Sequence, residues 1–481
     1  MLSWILSWFL STPPPKGMRV VRCTGLDLPA LQLVLTNAFL VDSRLDSKKL
    51  EDSISLLVER KFPRAGARLA LRNGKYEFQI PEHFDASTPA VAFTSENYPE
   101  PYDSASSRPS LANLQARSSE PFICDRPEIA RFLRAPTCPT TGDDCLEPNT
   151  PVVHVHVTAF DDLTFVGVSA SHAVFDALGT KTFVDAWMRV LSGEPLEDIP
   201  GMQWDAEPFA DFAAAPVGWV QRGWFHLGFF AQLLFIVHFV WGLVRDPKEC
   251  VKHVYVPKTF LEAEKKKIMQ ELKEAGSEEW VGSSDVLVAW WLQNVYRHRT
   301  DPTPLHLHIP VNLRDYPIFP TPSGNMELPY INNAVLSIHV EPFAVNTLGS
   351  TPLREIALRI RRAIIAYNND VDGVRNDVGW RIANPGIVPF PCPPGATFSM
   401  QSSWRAAQFG KLDFSGTMPV GPVEGRKPKV FLVTSFATGK NMPLRESGAV
   451  EFENEDCIWM NEVRGEKDWE AIRRAGSFNW R

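Results

Sequence analysis

Hydrophobic and polar positions along this chain follow two rhythms, one of period about 3.6 and one of period 2. Leu50, Ile54, Leu57 and Val58 recur at helical spacing, with Asp46 or Ser47 placed to cap the first turn. Residues 18–24 read as a short strand. Phe62-Pro63-Arg64-Ala65-Gly66-Ala67-Arg68-Leu69 then turns the chain into another, and Asn73-Gly74 between Leu69-Ala70-Leu71 and Tyr76-Glu77-Phe78 predicts a hairpin. From about residue 97 to 150 the chain is rich in Pro, Ser and Asp and reads as surface loop with short elements. Val152 to Val157 alternates as a strand does. Leu163 to Ser169 is a second, uninterrupted apolar strand, and Phe183, Val184, Trp187, Met188 and Leu191 mark one face of the helix after it. Residues 193–223 read as a connection. A second half repeats the mixture: a strand at His253–Val256, a charged helix from about Lys258 to Glu274, a helix after Ser283-Ser284 through Trp290 and Val295, and a strand from Leu305 to Val311. Prolines at 385, 389, 391, 393 and 394 make residues 384–396 a rigid loop.

Two stretches break this rhythm. Met1 to Leu10 is apolar, with Trp4 and Trp8, but lacks the basic start of a secretory signal. Trp224 to Val244 carries no formal charge and is flanked by Arg222 and Arg245. Its length meets the criterion for a membrane span. His226, Gln232 and His238 interrupt it, however, and a span there would put the two halves of the chain on opposite sides of a bilayer. It is therefore read either as a buried or surface-lying helix or as a membrane-inserted, monotopic one.

Composition narrows the function classes. The chain has 481 residues, 44% hydrophobic and 22% charged, enough for two or three structural units with a large core. A formal charge of −7 argues against a nucleic-acid partner. Seven scattered cysteines fit a reducing, cytoplasmic compartment rather than a disulfide framework, and membrane association stays open through the two apolar stretches. There is no phosphate-cradling glycine loop, no dinucleotide fingerprint, no zinc spacing and no Gly-x-Ser-x-Gly elbow, so the expectation is no bound metal or cofactor.

The candidate chemistry sits at Ser171-His172-Ala173-Val174-Phe175-Asp176-Ala177. A histidine at the end of a buried strand is held rigidly and can accept a proton near neutral pH, as activation of a hydroxyl for acyl transfer requires. The His-x-x-x-Asp spacing is not specific by itself. His154 with His156, and His306 with His308, alternate on strands and read as structural; Lys265-Lys266-Lys267 reads as a solvated helix face.

Five segments in register resemble the BAHD-type acyl-CoA-dependent acyltransferases, in particular their divergent fungal branch. They are the helix through Leu57 followed by FPRAGARL, the SHAVFDA motif, SSDVLVAWWLQ at 283–293, VNLRDY at 311–316 with YINNAV at 330–335, and Ser402-Ser403-Trp404 followed by Leu412-Asp413-Phe414-Ser415-Gly416. The resemblance implies an α/β fold of the two-domain chloramphenicol-acetyltransferase type, each domain a mixed sheet with helices and the active-site channel between them. The expected division is an N-terminal domain over 1–215, an apolar crossover over 216–250 and a C-terminal domain over 251–481.

It further implies that His172 is the general base, with acyl-CoA, acetyl-CoA in the first instance, as co-substrate and a hydrophobic alcohol such as a terpenoid or polyketide as acceptor. Asp176 and Asp413 would then be structural carboxylates near the site, Arg314 the partner of one of them, and Ser402 and Ser403 candidates for the oxyanion. A monomer is expected, with membrane contact through 224–244 and the N-terminus. Two departures stand out: DFSGTMP replaces the family's DFGWG, and Ala177 stands where many members have glycine. Two other functions remain open, a condensation-type transferase using carrier-bound acyl groups and a non-catalytic membrane-associated binding protein.

Overall fold

The computed structural model describes residues 13–387, 389–417, 427–439 and 444–481; the apolar N-terminal stretch lies outside them. In chain order the strands are β1 (Met18–Arg22), β2 (Leu33–Val41), β3 (Arg68–Arg72), β4 (Lys75–Pro81), β5 (Ala92–Asn97), β6 (Phe122–Asp125), β7 (Val153–Ala159), β8 (Thr164–Ser171), β9 (Glu249–Pro257), β10 (Pro304–Asn312), β11 (Val335–Ala344), β12 (Thr397–Ser403), β13 (Val430–Gly439), β14 (Ser447–Glu453), β15 (Cys457–Gly465) and β16 (Asn479–Trp480). The longer helices are α1 (Ser47–Arg60), α2 (Ala177–Leu191), α3 (Phe229–Arg245), α4 (Lys258–Glu274), α5 (Ser283–Val295), α6 (Leu353–Asn369), α7 (Val371–Ala383) and α8 (Glu466–Arg474).

Local sequence explains many of these. The Asp46 carboxylate accepts the Lys48 and Lys49 N–H groups and starts α1, whose buried face is Leu50, Ser53, Ile54, Leu57 and Val58. Asn73 and Gly74 both take positive φ, 52° and 70°, as a two-residue hairpin turn between β3 and β4 requires. Every residue of β8 is buried, so its apolar run continues through both faces instead of alternating. Gly167 within it lets the Leu133 carbonyl cross the strand; a Cβ there would stand 1.9 Å from that oxygen.

The strands form a five-stranded sheet, β13-β2-β8-β7-β5, an eight-stranded sheet, β11-β10-β12-β14-β15-β9-β6-β16, and a small sheet, β1-β4-β3. This is the mixed α/β, two-body architecture expected. The sheets, however, exchange strands across the division at residues 215–251. Strand β6, from the first half, lies antiparallel to β9 in the larger sheet, and β13, from the second, pairs with β2 over its whole length. Nothing in the local pattern of residues 97–150 distinguishes β6 from loop; Phe122, Ile123 and Cys124 are buried only because the edge of β9 receives them.

The stretch read as apolar crossover contains α3, which has no buried residue. Among the described residues no helix is long and apolar enough to cross a membrane. The proline loop behind it meets the chain just before α3: Phe225 and Phe390 exchange two backbone hydrogen bonds of 2.9 Å.

Where the exchanged β13 meets the larger sheet, Glu451 of β14 is wholly buried and accepts the Ser435 N–H (3.0 Å), the Ser435 hydroxyl and the Asn461 amide (3.0 Å). Burial pushes its carboxyl up to about 7 although all three donors favour the charged form. A folded-state value above the unfolded one means that this group's stabilisation is complete at low pH and is lost as pH rises through about 7. Glu451→Gln keeps the shape without the charge. Between pH 5 and pH 8 the wild type should lose roughly 2–3 kcal/mol relative to this variant, measured as the difference between their urea unfolding free energies at each pH.

Candidate active site

His172 follows the last residue of β8. Its N–H donates to the Leu33 carbonyl (2.8 Å) as β2 begins, and its own carbonyl accepts the Asn333 side-chain amide at 2.8 Å. Both bonds use main-chain atoms of His172, so the loop is held whatever its side chain does. The ring is half-buried, and Nδ1 is enclosed with no hydrogen-bond partner among the described residues.

Asp176 spends both carboxylate oxygens on other groups. It caps α2, accepting the Gly179 N–H at 2.6 Å, while its other oxygen accepts Arg314 Nη1 (3.0 Å) and the Ala334 N–H (2.8 Å). Arg314 is saturated in turn: Nε donates to the Tyr330 carbonyl (2.9 Å), Nη2 to the Asn332 carbonyl (2.6 Å) and Nη1 also to Asn312 Oδ1 (2.9 Å). Its conformation is set by a short 3-10 turn, Leu313–Asp315, that Asn312 caps. With side chains only 10% and 4% exposed, the pair is buried and fully hydrogen-bonded, the condition under which such a pair offsets its desolvation. Close approach makes this possible, since a Cβ on Gly179 would stand 1.9 Å from the Ile331 carbonyl.

A second layer locks the 330–334 segment. Asn333 donates to Asp27 through its backbone and its side chain, both at 3.3 Å, and Asp27 is fixed by the Thr24 N–H and hydroxyl at 2.7 and 2.8 Å. Burial raises the Asp27 carboxyl against those hydrogen bonds. Arg64, from FPRAGARL, donates to Asn332 Oδ1 at 3.2 Å and to the Trp204 and Ala206 carbonyls. Three of the five segments singled out in the sequence thus converge at residues 330–334. The parts played by Asp27 and Asn332 carry no sequence signal, because neither residue sits in a spacing that names a partner.

The structure brings His172, Asp176 and Arg314 together and leaves Asp413 apart. That carboxylate is exposed and accepts the Ser415 N–H (2.9 Å) and Lys427 Nζ (3.2 Å); the Ser415 bonds hold its pKa below the ordinary carboxylate value. The neighbouring Phe414 packs on Phe39 and Trp187, and Gly416 lies against the Leu191 carbonyl, so the DFSG segment closes the C-terminal end of α2, the end away from His172. Ser402 and Ser403 end β12 opposite Ala449 and Val450, half-buried and exposed respectively, outside the His172 network. The next turn reaches α5 instead: Arg405 donates to the Ser283 and Ser284 hydroxyls at 2.8 and 2.9 Å. Of the paired histidines, burial pushes His154 and His308 down to about 4, and His306 Nδ1 lies 2.9 Å from His339 Nε2. No group of side chains suited to hold a metal ion occurs among the described residues.

The histidine loop is thus clamped from the opposite half of a mixed α/β chain, and comparison with known proteins places that chain among the transferases. The model of the Transferase family matches residues 124–432, and the chain belongs to that family, the BAHD-type acyl-CoA-dependent acyltransferases. It is 27% identical over 441 residues to acetyltransferase adrJ of Penicillium rubens, covering 85% of each chain. Among solved structures, TRI101 of F. sporotrichioides, complexed with coenzyme A and T-2, superposes with a TM-score of 0.62 at 15% identity over 95% of this chain and 97% of its own. Vinorine synthase superposes with a TM-score of 0.58 at 15% identity, over 96% and 94%.

Removing one partner of the buried pair strands the other charge. Arg314→Ala and Asp176→Ala should each cost about 3–5 kcal/mol of unfolding free energy, whereas His172→Ala, whose hold is through the main chain, should stay within about 0.5 kcal/mol of wild type. Urea titration followed by tryptophan fluorescence reads all three.

Proposed function

We propose that this acyltransferase moves an acetyl group from acetyl-CoA to a hydroxyl of a hydrophobic secondary-metabolite acceptor, such as a terpenoid or polyketide. The observation that carries the reading is the division of labour in the His172 loop: Asp176 is wholly engaged by Arg314, Ala334 and Gly179, leaving the His172 ring as the titratable group not tied into that network. With Nδ1 enclosed, Nε2 is the nitrogen offered to substrate. It takes the acceptor's hydroxyl proton as the oxygen attacks the thioester carbonyl; the tetrahedral adduct collapses, the C–S bond breaks, and the proton passes to the departing thiolate. No acyl-enzyme forms, so no nucleophilic Ser or Cys is needed. The acetyl group draws support from the acetyltransferase name of adrJ, and the pairing of coenzyme A with an acceptor from the TRI101 structure complexed with coenzyme A and T-2.

Ser402 and Ser403 are assigned to the developing oxyanion and Asp413 to a structural role, holding the turn that carries Phe414. The working unit is a monomer in the cytoplasm, divided broadly at 215 and 251, that meets a membrane surface through residues 224–244 and the N-terminus.

Purified protein given acetyl-CoA and a panel of hydrophobic alcohols should release free thiol only when an acceptor is present. His172→Ala should lower that rate by about 10²–10⁴-fold. Loss of one oxyanion donor, by Ser402→Ala or Ser403→Ala, should lower kcat by about 10²–10³-fold. Folded wild type that releases no thiol with any alcohol would overturn the proposal, and transfer only from carrier-bound acyl groups would favour the condensation-type alternative.

A further inference from the structure

Helix α3 presents an unusual surface. Nine large apolar side chains between Phe229 and Val244 are 45% exposed or more, with Phe230 at 84%, Phe229 at 68%, Val244 at 64% and Val237 at 63%. At about 100° of turn per residue they fall within one outward arc of roughly 160°. The inward side is apolar too: Phe235 packs edge-on against Phe390, their ring centroids 4.9 Å apart. No charged residue occurs between Arg222 and Arg245. Exposed apolar faces of this extent mark an interaction surface.

The face says what covers it. A protein partner of this breadth would bring a polar rim and about one hydrogen bond per 100–200 Å². The outward arc offers no hydrogen-bonding group except the Trp241 indole at its C-terminal end, where the Arg245 guanidinium lies 5.0 Å over the ring. Fluid hydrocarbon asks for no hydrogen bonds, and a tryptophan–arginine pair at the edge suits a headgroup boundary. At about 1.5 Å per residue the helix is roughly 25 Å long, short of the ~30 Å hydrocarbon core.

Both ends are moored to the body, so the helix cannot turn to span. Phe225 is bonded to Phe390 at the start. At the finish the Asp246 carboxylate accepts the Lys467 and Asp468 N–H groups (3.2 Å each), and Lys467 Nζ donates to the Arg245 carbonyl at 2.6 Å.

The mooring leads to the active site. Trp224 Nε1 donates to the Ser337 hydroxyl at 3.0 Å, and Gly223 lies so close to His339 that a Cβ would stand 2.1 Å from that side chain. Both partners are on β11. Ser337 is three residues, about 10 Å of strand, beyond Ala334, whose N–H holds Asp176. We infer that α3 lies in the plane of a lipid bilayer surface and that the enzyme draws its acceptor, a membrane-partitioned alcohol, from that surface. The acceptor half of this inference rests on the acyl transfer proposed above; the docking half stands on α3 alone.

The test uses the full chain and sucrose-loaded phosphatidylcholine vesicles with and without phosphatidylserine. Wild type should sediment with the vesicles, and Leu234→Glu combined with Val237→Glu should remain in the supernatant with an unchanged urea midpoint. In thiol release, the double variant should match wild type on a water-soluble alcohol and fall at least tenfold on a long-chain alcohol dissolved in the vesicles. Wild type that stays in the supernatant with both lipids overturns the inference. So does a dimer that the double variant disperses, because α3 would then be covered by a second copy. Equal loss on both alcohols overturns delivery from the membrane, and no release from any alcohol with intact sedimentation refutes the acyl transfer while sparing the docking.

Discussion

The Asp176–Arg314 ion pair is the interaction on which the rest of this molecule's arrangement depends. Its residues are 138 positions apart, on opposite halves of the chain, and neither has a second way to satisfy its charge in the buried site. Around it the Ala334 and Gly179 N–H groups and the Tyr330 and Asn332 carbonyls complete the hydrogen bonding that a buried pair requires. Once this pair forms, the start of α2, the end of β8 and the 330–334 segment have one relative position. His172 inherits it through its carbonyl bond to Asn333 and its N–H bond to Leu33. The fold thus grips the backbone of His172, and the role of base proposed for its imidazole makes no demand on those bonds.

The same logic of mutual completion runs through the sheets. Strand β13 finishes the five-stranded sheet from the far half of the chain, and β6 returns the exchange. Each sheet therefore contains a strand that only the other half of the chain supplies, β13 at the edge of one and β6 between β9 and β16 in the other, so neither half completes its sheet alone. Glu451 marks the seam, where β13 must hydrogen-bond across to β14 and β15 through a carboxylate that burial keeps reluctant to ionise.

The DFSG segment shows how a resemblance can outlast one of its details. Phe414 still packs against Trp187 and Phe39, and the segment still closes α2. Asp413 spends its charge on a local turn and on Lys427 at the surface, which leaves Arg314 to Asp176 alone. A carboxylate next to a buried aromatic need not be buried itself, because neighbouring side chains on a turn leave it in different directions.

What the sequence determined by itself is whatever a short window can encode. The Asn73-Gly74 turn, the Asp46 cap and face of α1, the buried run of β8 and the helix after Asp176 all follow from periodicity and capping, and five ordered motifs named the reaction class. The segments converging on the site were readable as motifs, but the parts of Asp27 and Asn332 in it were not. Partner choice was decided by tertiary structure: which carboxylate Arg314 would take, that Phe122 to Asp125 would become a strand, and that α3 would turn its apolar arc outward instead of burying it. The physical reason is that local periodicity reports how much of an element is apolar, whereas the free energy of an ion pair, a strand edge or an exposed face depends on groups a hundred or more residues away, brought close only by the folded chain.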